Sequence, residues 1–107
     1  MNWNIQETKE LIKAFLLLRT SNEAQNFLRD LMTESEIVEF SKRLKAAEML
    51  ENKISYIKIE KETGLSSTTV ARVSKWLNNG RSGYKTIINR MHHNNPNKTK
   101  RGLSWFV

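Results

Sequence analysis

The 107-residue chain has no cysteine, one proline, four glycines and no acidic residue beyond Glu62. Without cysteine there is no disulfide framework, no thiolate zinc site and no cysteine nucleophile, which fits a reducing compartment. Four glycines form neither a phosphate-binding loop nor a dinucleotide fingerprint. Strand signals are scarce, because the β-branched residues recur at helical spacing and only Pro96 interrupts the chain. The longest apolar run, Ala14 to Leu18, is five residues, far short of the roughly 20 that cross a bilayer. Glu7 and Glu10 occupy the region where an export signal is positively charged. These absences predict a soluble, cytoplasmic, all-α protein with no membrane partner.

The charge is unevenly distributed. Residues 1–40 hold four bases against seven acids, whereas residues 41–107 hold fourteen bases against four, within a net charge of +7. Arg72, Lys75, Arg81, Lys85, Arg90, Lys98, Lys100 and Arg101 follow Glu62 with no compensating acid. A solubilising surface mixes both signs, so this half is expected to attract a polyanion, and nucleic acid first among them.

Hydrophobic spacing predicts about six helices. The first, about Asn4 to Arg19, spreads Ile5, Leu11, Ile12, Phe15, Leu16 and Leu18 around more than half of its circumference. A girdle that wide suggests burial against a second subunit, the alternative being a central helix within a monomer. Phe27, Leu28 and Leu31 stripe the second helix. Thr33-Glu34-Ser35-Glu36 is a capping box that starts the third, which runs to about Asn52. Ser55 caps a short fourth helix that ends before Gly64. Ser66 caps a fifth running to about Asn79, where Gly80 suits a left-handed stop. A sixth spans Tyr84 to about His92. Residues 94–107 read as a basic polar tail whose closing Leu103, Trp105 and Phe106 could dock elsewhere, and residues 1–93 as the folded domain.

Residues 55–79 have the grammar of a helix-turn-helix, with a capped short helix, a glycine in the turn and a capped second helix. Ile59, Leu65, Val70, Val73 and Leu77 supply the inward positions. At 100° per residue, Thr68, Arg72, Lys75 and Asn79 fall opposite Val70, Val73 and Leu77, with Ala71 beside them. That face is small, polar and basic, with no acid. It suits the major groove, where hydroxyls reach base edges and lysine neutralises the backbone. The start of the second helix, from Ser66 on, also offers amides to phosphate. Ser67, Thr68 and Ala71 are the candidates for base contact, and Lys75 and Asn78 for phosphate.

Other constellations carry less. The adjacent His92 and His93 point about 100° apart on a helix with no acid or cysteine after them, so no metal site is predicted. Glu36 is accounted for by the cap, and Glu34 and Glu39 by a solvated face. No nucleophile stands with a base, and the chain does not read as an enzyme.

From Leu28 to about Arg90 the sequence resembles the Trp repressor family, more closely its shorter Trp-repressor-like relatives of the YerC/YecD type. The resemblance is carried by Leu31-Met32-Thr33-Glu34-Ser35-Glu36, Arg43-Leu44-Lys45-Ala46-Ala47-Glu48-Met49-Leu50, Glu62-Thr63-Gly64-Leu65-Ser66 and Thr69-Val70-Ala71-Arg72-Val73. Leu77-Asn78-Asn79-Gly80 and Gly83-Tyr84-Lys85 extend it. It implies an entwined six-helix homodimer that binds palindromic operators. It also implies an effector pocket around Thr33, Arg43, Thr69, Arg72, Val73 and Trp76. The family's small residues lining the indole site fall on Val73 and Trp76, which crowd it. No cofactor is therefore predicted, free tryptophan is not expected as the ligand, and Trp76 is large enough to occupy the indole's place. Periodicity turns Arg72 to solvent, while the resemblance places it at a pocket wall. Two basic DNA-contacting positions of the family fall on Ile57 and Glu60, with Lys58 and Lys61 adjacent as substitutes.

The resulting expectation is a homodimeric, sequence-specific regulator of transcription that binds double-stranded DNA, most simply as a repressor. The alternative is a helical protein–protein interaction module with a basic tail that binds nucleic acid unspecifically.

Overall fold

The computed structural model describes residues 1–93. Among them are six α-helices and no strand: α1 Gln6–Leu17, α2 Ser21–Leu31, α3 Glu34–Glu51, α4 Tyr56–Thr63, α5 Ser67–Asn79 and α6 Gly83–His93. The expected tail at residues 94–107, with Leu103, Trp105 and Phe106, lies outside the described residues. None of the helices described is long and apolar enough to cross a membrane. The chain divides into two compact units, Met1–Val38 and the residues from Glu39 onward, and α3 contributes to both.

In the first unit, α1 is shorter than the apolar repeat suggests. Thr20 caps α2 by accepting the Glu23 amide at 3.1 Å, and the Glu23 carboxylate accepts the Arg19 amide at 3.0 Å. These two bonds hold Arg19 and Thr20 outside a helix, and Leu18 is extended at φ −67°, ψ 133°. Phe15 and Phe27 meet edge to face with centroids 5.7 Å apart, joining α1 to α2. No residue of either helix is buried. Leu16 is 80% exposed and Leu17 61%, so the girdle of α1 is left largely uncovered within one chain. At the head of α3 the capping box forms as expected: Thr33 accepts the Glu36 amide at 3.1 Å, and Glu36 accepts the Thr33 amide at 3.0 Å.

The second unit holds the hydrophobic core. Ala46, Ala47 and Met49 come from α3, Ile59 from α4, Leu65 from the turn, Val70, Val73 and Leu77 from α5, and Ile88 from α6. Helix α5 packs against both α4 and α6. Met49, Ile59, Val70 and Val73 are completely buried, each contributing about 1.5–3 kcal/mol. Helix α5 ends at Asn79 as expected, but Gly80 is not left-handed, having φ −89° and ψ −149°. Its amide closes on the Trp76 carbonyl at 3.0 Å. A Cβ at Gly80 would lie 2.3 Å from that oxygen, so close approach, not positive φ, demands glycine there.

Among the described residues, one ionisable side chain is buried in this core. Glu48 is only 6% exposed, and burial pushes its carboxyl above the ordinary 4.5, against the pull of His92 and Lys45. A carboxyl whose pKa is raised by folding binds its proton more tightly in the folded state. Its ionisation therefore costs stability as pH rises from the ordinary value through the raised one, and the cost is constant above that. Glu48→Gln is expected to gain on the order of 1 kcal/mol over wild type at neutral pH. The gain should shrink as pH falls towards 4.5, as followed by urea unfolding at several pH values; a gain independent of pH would contradict the assignment.

Candidate nucleic-acid interface

The helix-turn-helix is built by local hydrogen bonds. Ser55 starts α4 by accepting the Lys58 amide at 3.3 Å. At its end, Gly64 is left-handed (φ 76°) and returns its amide to the Glu60 carbonyl at 2.8 Å. Thr63, buried in the bend, donates its hydroxyl to the Ile59 carbonyl at 2.7 Å and accepts the Leu65 amide at 3.2 Å. One side chain thereby ties the last turn of α4 to the residue that enters the core. Ser66 then caps α5, accepting the Thr69 amide at 3.1 Å and donating to the Thr69 hydroxyl at 3.0 Å.

Helix α5 comes out two-faced. Val70, Val73 and Leu77 are buried, while Ser67, Thr68, Ala71, Arg72, Lys75, Asn78 and Asn79 are exposed. Its 13 residues make a rod about 20 Å long, of a width the major groove admits. Asn78 is partly engaged already, its amide donating to the Ser74 carbonyl at 3.0 Å. Lys58 and Lys61 are exposed on α4 with the exposed apolar Ile57 beside them. Thus the eight residues singled out for DNA contact all lie on α4, the α5 cap or α5, and all are solvent-accessible.

The candidate effector residues are placed differently. Arg43 and Trp76 are brought together: the guanidinium stands 5.8 Å from the indole centroid and 5.6 Å from that of Phe40, and it pairs with Glu39 at 3.2 Å. Val73 is in the core, Thr69 is bonded to the cap, and Arg72 projects to solvent as periodicity indicates. Thr33, in the first unit, is engaged in its capping box. Trp76 instead lines a cavity of about 540 Å³ between α3, α5 and α6, with Leu44, Gly80, Arg81, Gly83, Tyr84 and Ile87. Burial raises the Tyr84 phenol above its ordinary value, while nearby Arg43 pulls it down. Sequence reasoning did not find this cavity, because its walls come from helices distant along the chain and the shape of Gly80 is a tertiary matter.

A basic residue outside the motif also reaches it. Lys42 on α3 brings its ammonium to within 3.8 Å of where a side chain at Gly64 would begin.

Comparison with known proteins places this arrangement. Residues 6–92 match the Trp repressor protein family. The chain is 37% identical over 86 residues to the uncharacterised protein YerC of Bacillus subtilis (strain 168), covering 80% of this chain and 83% of YerC. Its structure is similar to that of a TrpR-like protein from Eubacterium eligens ATCC 27750, with a TM-score of 0.80 and 35% identity over 83% of this chain and 92% of that one. A candidate Trp repressor from Staphylococcus aureus superposes with a TM-score of 0.79 and 35% identity, covering 85% and 94% of the two chains. The six-helix order, the α4–turn–α5 geometry and these matches across most of its length show that the chain belongs to the Trp repressor family.

Proposed function

We propose that the protein is a sequence-specific, double-stranded-DNA-binding regulator of transcription that acts as a repressor in the cytoplasm. A homodimer places two α5 helices in successive major grooves about 34 Å apart, on a palindromic operator. Residues 1–93 serve as the DNA-binding domain and residues 94–107 as a basic extension of it. The observation that carries this reading is the exposed, acid-free face of α5 opposite its buried Val70, Val73 and Leu77 stripe. Ser67, Thr68 and Ala71 face the bases, with Ser66 holding the helix start in register. Lys75, Asn78, Lys58 and Lys61 take phosphates. Family membership and the similarity to a TrpR-like protein and a candidate Trp repressor support the same class.

Selection of duplexes from a random pool tests the proposal. A two-fold symmetric consensus is expected, whereas retention without a consensus would favour the interaction module. On the selected site, Lys75→Ala should weaken all sequences alike. Thr68→Ala should cost about 1–3 kcal/mol at one base position and relax choice there. Equal, sequence-blind losses from both would reverse these roles.

A further inference from the structure

We propose that Lys42, on α3 and outside the helix-turn-helix, is a DNA-backbone ligand whose ammonium binds a phosphodiester oxygen at the Gly64 turn. The inference rests on the DNA-binding reading above and adds to it a third element that touches the duplex.

A lysine on a helix usually finds a carboxylate three or four residues away. The acid available on this face, Glu39, is held by Arg43 at 3.2 Å. Positions 38, 45 and 46 are Val, Lys and Ala. Among the described residues Lys42 makes no ion pair, although Glu60 and Glu62 belong to the neighbouring α4. It is partly buried, so the stem lies along the protein while the charge is carried to the turn.

There the ammonium meets a place with no side chain. Among the described residues, the Lys42 Nζ is the only atom within 4 Å of a Cβ built on Gly64, chain neighbours aside. Gly64 thus serves twice: its left-handed φ of 76° makes the turn, and its missing side chain leaves room beside the cation. From Gly64 to the Ser66 cap the chain spans at most about 7 Å, which bounds how far this turn stands from the start of α5. Lys61, three residues before Gly64 in the last turn of α4, is exposed. Each DNA strand carries one charge per about 3.4 Å of axis, so a helix entering the groove at Thr68 brings phosphates within reach of both lysines. A hydrated ammonium suits such a point contact, and Lys58 and Lys61 on α4, although interleaved with Glu60 and Glu62, add positive charge that favours a polyanion.

The test compares wild type, Lys42→Met and Lys42→Arg binding a mixed-sequence duplex as salt is raised. Methionine keeps the stem and removes the charge. The slope of log affinity against log salt should fall by about 0.9 for each copy of Lys42 engaged. The ratio of wild-type to variant affinity should then narrow about 3.5-fold per copy between about 50 and 200 mM. Lys42→Arg should keep the wild-type slope. An unchanged slope in Lys42→Met overturns the proposal, as does an equal loss in both variants, which would mark a packing role. A wild type that shows no salt-dependent duplex binding overturns the DNA reading itself and Lys42's part in it.

Discussion

Raising salt from about 50 to 200 mM is expected to weaken operator binding about 10³- to 10⁵-fold, the loss that accompanies neutralisation of six to ten phosphates. The lysines placed around the motif account for a number in that range. On the proposed reading, Lys42, Lys58, Lys61 and Lys75 in two copies would make about eight backbone contacts, each releasing about 0.9 counterion on binding. Only charges held at phosphate positions give so steep a slope. Basic residues spread at random over the +7 chain would raise encounter rates with little effect on the bound state. A mobility-shift titration at several salt concentrations measures this directly, and an affinity indifferent to salt would remove the electrostatic basis of the reading.

A comparable loss is expected when the uncovered face of α1 is charged. Ile12 and Leu16 stand one turn apart and are 44% and 80% exposed, so Ile12→Glu with Leu16→Glu should leave the helices folded by circular dichroism. Two carboxylates cannot be buried unpaired at a subunit contact without a cost of several kcal/mol each. Sedimentation should therefore show a dimer converted to monomer. Losing the linked second half-site should lower affinity for the full operator about 10²- to 10⁴-fold while half-site affinity stays the same. A doubly substituted protein that remained dimeric, or bound the full site as before, would show that α1 is not the covering surface.

The parts of this protein that could be read from its residues are those governed by neighbours along the chain. The caps at Thr33, Ser55 and Ser66 form as expected, because each needs only a hydroxyl and an amide three residues on. The inward stripe of Val70, Val73 and Leu77 and the outward position of Arg72 follow from helical geometry. The lengths of α1 and the conformation of Gly80 differ from the reading for local reasons too subtle for pattern. The Thr20 cap of α2, with Glu23 accepting the Arg19 amide, took Arg19 out of α1, and the Trp76 carbonyl crowds Gly80 from one turn back.

Residues by themselves determined the all-helical class, the two-faced α5 and the polarity of charge, since periodicity and composition act without knowledge of the fold. Only the tertiary structure decided which distant groups share a neighbourhood. It set Arg43 beside Trp76 as well as Phe40, carried Lys42 to the turn at Gly64, and shaped the open cavity beside Tyr84. Such meetings depend on how helices pack, and packing is fixed by the shapes of many side chains together, which no single stretch of chain encodes.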